Sequence, residues 1–229
     1  MKYIGHITRW IFILCLPLLL LSGSIGWVVN SLGTYENGFE KYNISRSTGL
    51  TEPELGKAAR GLISYFNSGE ELINVVVEKD GQPFVLFNER EVIHLKDVKG
   101  LFRLDYFVFF GTLIFILGYD AYSFFRKPRR EHLHNLARRV IWGSSITLGI
   151  MTALGVGSLV GFDRLFLQFH LLSFANDFWL LNPATDYLVM LFPQGFWFDV
   201  TITVAVSTAG AAVFLGGLAW GYLRFRPKT

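Results

Sequence analysis

The chain has 229 residues, of which 52% are hydrophobic and 16% aromatic, and its net charge is +3. A soluble domain of this size rarely carries so much apolar surface, so the composition indicates a protein that crosses the membrane several times. The basic residues lie beside apolar runs rather than on a separate polar domain, which argues against nucleic-acid binding. The single cysteine, Cys15, excludes an intramolecular disulfide and a multi-cysteine metal site.

Hydropathy predicts four transmembrane helices, at residues 10–30, 105–125, 140–161 and 200–223. Basic residues concentrate in three other places: the N-terminal residues 1–9, the loop 126–139 and the tail 224–229. The positive-inside rule therefore predicts a multi-pass protein of the cell membrane, with both termini and the basic loop in the cytoplasm. The segments 31–104 and 162–199 are then expected on the extracytoplasmic face.

The segment 31–104 is polar and long enough to fold as a small domain. An apolar stripe at helical spacing predicts an amphipathic helix over 55–66. Two β-rich runs joined across Lys79-Asp80-Gly81-Gln82 predict a hairpin, and residues 94–101 predict a short helix that leads back to the membrane. The expected fold class is therefore mainly α: a polytopic membrane protein with four transmembrane helices and a small α+β extracytoplasmic domain.

The segment 162–199 holds ionisable groups among crowded aromatics at a membrane boundary, where such groups are costly unless they are paired, solvated or used. This predicts a functional centre. Asp163, His170 and Asp177 are spaced by seven residues, so they share one face of a predicted helix. Neighbours in this set are two turns apart, about 10 Å, which is too far for a direct aspartate–histidine hydrogen bond. Ser173, three residues after His170, is within reach.

A second short helix is predicted later in the same segment, beginning at Asn182-Pro183 and ended by Pro193 and Gly195. The apolar and aromatic residues of this part favour an element that lies in the membrane interface.

Topology sorts the five histidines into two groups. Solvated or headgroup-level positions near basic residues are expected on the cytoplasmic side for His6, His132 and His134. His94 and His170 fall on the outer side, each close to a membrane boundary. They are far apart in sequence, but the predicted topology allows them to meet.

Two blocks of residues on the predicted outer side form a long pattern. The first block is Arg90-Glu91-Val92-Ile93-His94-Leu95-Lys96-Asp97-Val98-Lys99. The second block consists of Phe169-His170, Phe174, Asn176, Trp179, Pro183, Thr185-Asp186, Phe192-Pro193 and Phe196-Trp197-Phe198-Asp199. Together they resemble the signature of the bacterial lipoprotein intramolecular transacylase family. The resemblance covers nearly the whole chain, including the four spans and the outward domain after the first span.

The resemblance implies an acyltransferase that acts on membrane-anchored lipoproteins. The family moves an acyl chain from the sn-2 position of the diacylglyceryl-cysteine to the α-amino group of the same cysteine, which gives the N-acyl lyso form. The implied partners are the diacylated lipoprotein N-terminus and membrane lipid, with no cofactor and no metal. By the same resemblance, His94 and His170 match the two histidines regarded as catalytic. Supporting or substrate-binding positions are expected for Asn176, Trp179, Asp186, Ser173 and Asp163.

The chemistry of two histidines suits this reaction. An α-amino group with a pKa of about 8 is mostly protonated at neutral pH, so O-to-N transfer needs a base beside it. One imidazole can take the proton, and a second can protonate the departing glycerol oxygen. Because ester and amine belong to one molecule, holding them in contact lowers much of the barrier. Which histidine is base and which is acid stays open at this point, as does a transient acyl-histidine.

Two alternatives come from other classes of function. His94 and His170 could hold zinc together with Asp163, Asp177 or Asp199 in a metal-dependent membrane hydrolase, although no HExxH motif is present. Activity retained in excess chelator would eliminate this reading. The protein could also be a non-enzymatic interaction or sensory protein with the extracytoplasmic domain as its ligand module. In that case, replacing both histidines would leave function intact.

Overall fold

The computed structural model describes residues 2–225, with side chains from His6 onward. Residue 1 and residues 226–229, which belong to the predicted cytoplasmic termini, lie outside the described residues. The described chain forms eight helices and one two-stranded sheet: α1 (Lys2–Asn30), α2 (Leu32–Lys41), α3 (Ile44–Thr48), α4 (Glu52–Asn67), β1 (Val76–Lys79), β2 (Gln82–Val85), α5 (Glu89–Arg126), α6 (Arg129–Ser173), α7 (Tyr187–Leu191) and α8 (Gln194–Phe225).

Four of the helices within residues 2–225 are long and apolar enough to cross a membrane. They are His6–Asn30, Glu89–Arg126, Arg129–Ser173 and Gln194–Phe225. Each exceeds the roughly 20 residues that a span requires, so the long helices continue as polar segments beyond their apolar parts. The expected fold class, mainly α with four membrane-spanning helices and a minor β element, is confirmed.

The chain divides into two compact units. The first unit comprises residues 2–25, Asp105–Val156 and 203–225. Its helices approach closely where one partner is small: a Cβ added to Gly143 would lie 2.7 Å from Leu16, and one added to Gly216 would lie 3.1 Å from Ser144. Small residues at such crossings let helix backbones approach in lipid, where dispersion contacts replace the hydrophobic effect as the driving force.

One of the histidine predictions in the first unit is wrong. His6 is exposed, as expected. His132, in contrast, is buried with 3% of its surface exposed, and its Nε2 lies 3.4 Å from Oδ1 of Asp120. Its ring also contacts the ring of Phe124, with centroids 5.5 Å apart. The basic loop leaves only residues 127 and 128 outside helices, so the first turn of α6 carries His132 back onto the end of α5.

The second unit comprises Gly26–Leu104 and Gly157–Ile202. Its apolar core gathers side chains from α2, α4, the hairpin and α7, and includes Phe39, Leu62, Val77 and Leu191. β1 and β2 pair antiparallel, with Val76 opposite Val85. Asp80 and Gly81 both have positive φ, 53° and 74°, as a two-residue type I′ hairpin turn requires. The predicted hairpin is confirmed.

Two predicted short helices differ from the structure. Residues 94–101 do not form a separate helix, because α5 is continuous from Glu89 to Arg126 with no proline or other break inside it. The second helix begins at Tyr187 rather than at Asn182-Pro183. At residues 182–186, Oδ1 of Asn182 accepts a hydrogen bond from the backbone N–H of Ala184, and Oδ2 of Asp186 accepts one from the backbone N–H of Asn182. These side-chain bonds favour a turn over the helix.

Candidate active site

His94 and His170 lie side by side in the second unit. Their ring centroids are 6.1 Å apart, and the ring planes are inclined by 30°. His94 sits in the second turn of α5, and His170 sits in the last turn of α6, beyond the non-helical residue Gly161. Both side chains are buried, with 7% and 8% of their surface exposed. The structure therefore brings together two ionisable rings from distant parts of the sequence and shields them from bulk solvent.

The hydrogen bond of His170 defines its neutral form. Nδ1 of His170 lies 2.8 Å from the carbonyl oxygen of Phe166, four residues earlier on the same helix. A carbonyl only accepts, so Nδ1 must carry the proton in this bond. The lone pair of the neutral ring then resides on Nε2. His170 is thus held in the tautomer whose Nε2 can accept a proton.

Aromatic rings enclose His170. The centroids of Phe166 and Trp179 lie 4.4 and 5.1 Å from that of His170. Phe174 contacts both histidines, at 4.9 Å from His94 and 5.5 Å from His170. These rings fix the imidazoles by packing and limit the access of water. Trp179, which the sequence predicted as a supporting residue, is therefore in direct contact with His170.

His94 has a different environment. Its Nδ1 is buried, and no described residue makes a hydrogen bond with it. Asp97, three residues later on α5, is near enough to act electrostatically on His94. An unpaired buried nitrogen costs stability, which makes it a natural contact point for a bound molecule.

The loop after α6 is tied to α5 beside the histidines. Nδ2 of Asn176 donates to Oδ2 of Asp97 at 2.8 Å, and Oδ1 of Asn176 accepts from the backbone of Phe178 at 3.1 Å. Arg90 adds a hydrogen bond to the backbone carbonyl of Asp177. Asn176, predicted as a supporting residue, therefore ties the loop that carries Trp179 to α5.

Asp186 makes a second connection between the segment that follows α6 and the start of α5. Its Oδ1 accepts from Nδ2 of Asn88 at 3.1 Å, while its Oδ2 holds the turn after Asn182. Nearby, Glu91 is buried, with 1% exposure, and its carboxylate accepts from the backbone of Leu188 at 2.6 Å and of Asn88 at 2.7 Å. Glu91 was not singled out from the sequence. It belongs to the first of the two resembling blocks, but nothing local marks it as buried.

Ser173 and Asp163 are the two remaining predicted residues. Ser173 is half-buried and lines a cavity beside the histidines. Asp163 is exposed and accepts a hydrogen bond from Nε2 of Gln194 at 2.9 Å. No interaction of Asp163 with either histidine is present among the described residues.

The zinc reading requires an aspartate beside the two rings. Asp199 instead accepts hydrogen bonds from Lys41 at 2.6 Å and from Tyr42 at 2.8 Å. Within the part of the chain that the structure describes, no three histidine, cysteine, aspartate or glutamate side chains converge in a way that could hold a metal ion. The donor set around His94 and His170 therefore lacks a third ligand.

A cavity of about 520 Å³ opens next to the pair. It is lined by Asp97, Phe174 and Asn176, which contact the histidines or each other, and by charged residues of both signs farther out. At its rim Lys96 and Glu71 form an ion pair of 2.6 Å, and this hydrogen bond lowers the pKa of the exposed Glu71 carboxyl. The described lining includes neither histidine, so the cavity is a polar, mixed-charge opening that reaches Phe174, in contact with both rings, and not the rings themselves.

Comparison with protein families identifies the family of this chain. The family model of the lipoprotein intramolecular transacylase Lit matches residues 10–197. The chain belongs to this family. Members of the lipoprotein intramolecular transacylase family are acyltransferases of the membrane, and the expected resemblance is confirmed.

Solved structures of the family have the same fold. The in meso structure of the lipoprotein intramolecular transacylase Lit from Bacillus cereus is 19% identical, with a TM-score of 0.80, and the match covers 97% of both chains. A variant of that protein with one histidine replaced by arginine is 17% identical, with a TM-score of 0.76, and the match covers 97% of this chain and 93% of that chain.

A curated relative adds a sequence match. An uncharacterized protein of Aquifex aeolicus is 27% identical over 123 residues, which is 52% of this chain. The match spans about half the length of that relative, 50%.

Proposed function

We propose that this chain transfers the sn-2 acyl chain of a diacylglyceryl-cysteine to the α-amino group of that cysteine, with His94 and His170 as the acid–base pair. The observation that carries the proposal is the juxtaposition of the two buried rings, 6.1 Å apart, in a member of this family. An acid and a base at this separation can act on the two ends of one short reacting unit. The product would be the N-acyl lyso form of the lipoprotein.

His170 is the proposed base. Because the Phe166 carbonyl holds the proton on Nδ1, the neutral ring offers the Nε2 lone pair to the substrate amine. Removal of a proton makes the amine nucleophilic, and the surrounding Trp179 and Phe174 rings keep water from competing for the ester.

His94 is the proposed acid. The amine nitrogen attacks the carbonyl carbon of the sn-2 ester, the new C–N bond forms, and the C–O bond to glycerol breaks. His170 takes the proton from the amine, and protonated His94 gives a proton to the departing glycerol oxygen. Burial lowers the pKa of both rings, that of His94 to about 4, and two positive charges 6.1 Å apart would repel each other, so both rings are neutral before the substrate binds. His170 passes the first proton of the substrate ammonium to His94, and it releases the second proton, taken from the attacking nitrogen, to solvent.

The enzyme needs to supply little beyond these proton transfers. Ester and amine are carried by one molecule, and effective molarities in well-oriented intramolecular reactions are very large, on the order of 10⁵ M or more. The cavity next to the histidines offers a polar opening for the peptide that follows the lipidated cysteine. The proposed substrate is therefore the diacylated N-terminus of a lipoprotein, presented from the lipid.

The proposed topology places this site on the extracytoplasmic face. The support is the charge distribution: residues 126–139 and both termini are basic, whereas 162–199 contains one basic residue, Arg164.

The experiment expresses the chain in a bacterium whose lipoproteins stay diacylated and reads one lipoprotein's N-terminal peptide by mass spectrometry. The wild type is expected to convert it to the N-acyl lyso form. His94→Ala and His170→Ala are each expected to lower conversion by about 10²-fold or more, because each removes one partner of the proton transfer. His134→Ala is the matched control and is expected to convert normally. An unchanged diacylated peptide with wild-type protein present in the membrane would refute the proposal.

A further inference from the structure

A second cavity lies in the first unit, among the basic residues that flank the spans. Its volume is about 330 Å³, and it is lined by His6, Arg9, Tyr119, Lys127, Asn135, Arg138 and Arg139. Four of these seven side chains are cationic, and none of the described lining residues carries a carboxylate. Such a lining attracts an anion.

The nearby carboxylates do not balance this charge. Glu131 forms an ion pair with Lys127, which neutralises that one cation. Asp120 faces His132, and although its charge acts on Arg139, no ion pair joins them. Among residues 6–225, no aspartate or glutamate lies within salt-bridge distance of the three lining arginines.

Arg139 gives the cavity a built anchor. Its side chain is buried, with 4% of the surface exposed, and its guanidinium packs against two neighbouring rings, 5.5 Å from the centroid of Phe12 and 4.7 Å from that of Tyr119. Nη1 of Arg139 has no hydrogen-bond acceptor among the described residues. A buried donor of a charged group is costly to leave without an acceptor, whereas a guanidinium fixed by packing against aromatic rings is well oriented for oxygen atoms of a phosphate.

The surroundings favour a ligand that comes from the lipid. Ile7 and Trp10, each one residue beyond a lining residue of α1, are exposed apolar side chains on a membrane-spanning helix. Tryptophan at this level is typical of the headgroup region, where a basic pocket between helices meets anionic headgroups. A lipid phosphate could enter the cavity while its acyl chains lie along these side chains.

We propose that this cavity binds the phosphodiester headgroup of an anionic phospholipid, with Arg139 as the buried anchor and Arg9 and Arg138 on the rim. The site is separate from the histidine pair and does not depend on the acyl-transfer proposal. The cavity holds one anionic lipid molecule at the ends of the helices where the basic residues lie.

The test uses the purified full-length protein in detergent micelles. Native mass spectrometry counts retained phosphatidylglycerol against retained phosphatidylcholine over a range of lipid concentrations. The wild type is expected to retain one phosphatidylglycerol in preference to phosphatidylcholine. Arg9→Gln and Arg138→Gln are each expected to weaken that binding about fivefold, the loss expected for one basic residue at an anionic headgroup. Arg139→Gln is expected to lose more.

The control is Arg129→Gln, which removes the same charge from an exposed position outside the cavity and is expected to bind normally. If Arg129→Gln weakens binding as much as Arg138→Gln, the effect is diffuse charge attraction and the proposal fails. Equal retention of the two lipids also overturns it. A third arm adds inorganic phosphate: displacement of the lipid by phosphate at equal concentration would make free phosphate the ligand and contradict the lipid assignment. If Arg139→Gln does not fold, the rim variants still decide.

Discussion

The hydrogen bond between Asn176 and Asp97 should control the position of Trp179 against His170. It joins the loop after α6 to α5 at 2.8 Å, and one partner is a carboxylate. Hydrogen bonds to charged groups contribute about 1.5–3 kcal/mol, and the half-buried setting favours the lower end. If that energy holds the loop in its reactive position, Asn176→Ala should lower kcat about tenfold, since about 1.4 kcal/mol corresponds to a factor of ten.

A double-mutant cycle measures this coupling directly. Purified Asn176→Ala, Asp97→Ala and the double variant are assayed for acyl transfer on a diacylated lipopeptide. Asp97→Ala also removes a charge that acts on His94. Because both single variants break the same bond, the double variant should be only slightly slower than Asp97→Ala, with a coupling energy of about 1.5 kcal/mol. Fully additive losses would mean that the two side chains act independently, and would refute the positioning argument.

Three further predictions concern packing, topology and chemistry. In thermal unfolding of the purified protein, Gly38→Ala should lower the stability by about 1–3 kcal/mol, because the added Cβ would lie 2.4 Å from the buried Phe196 ring. The control is Gly100→Ala, at a helical glycine with open space around it, which should be neutral or stabilising by about 0.5–1 kcal/mol. In a Cys15-free background, a cysteine replacing Asp80 should react with an impermeant maleimide in whole cells, whereas one replacing Lys127 should react only after lysis; the reverse pattern would invert the topology. Excess chelator should leave acyl transfer unchanged, and loss restored by zinc would revive the metal-dependent reading.

The fold could be predicted from the sequence where the signal is local. Long apolar runs identified the four spans, and Asp80-Gly81 identified the hairpin turn because few residue pairs adopt positive φ together. The continuity of α5 was harder to predict. Its first turns are charged and its later turns apolar, so the change in composition suggests a boundary, yet α-helical hydrogen bonding continues wherever no proline or capping signal ends it.

The site was only partly predictable, because its geometry depends on contacts between distant residues. Topology could allow His94 and His170 to meet, but only the fold sets their 6.1 Å separation. Helical spacing put Asp163 on the face of His170, and its actual partner, Gln194, lies on another helix. Glu91 escaped attention because a glutamate in a charged stretch gives no sign that its carboxylate will be buried against backbone amides.

The central claim is that one lipopeptide molecule passes its own sn-2 chain to its own amine. The direct test incubates the purified protein with two diacylated lipopeptides that differ in peptide mass, one of them carrying an isotopically heavy sn-2 chain. Mass spectrometry should find the heavy chain on the α-amino group of its original peptide alone, with a light sn-1 chain retained. Crossed products, or release of the heavy chain as free fatty acid without N-acylation, would contradict intramolecular transfer by the histidine pair.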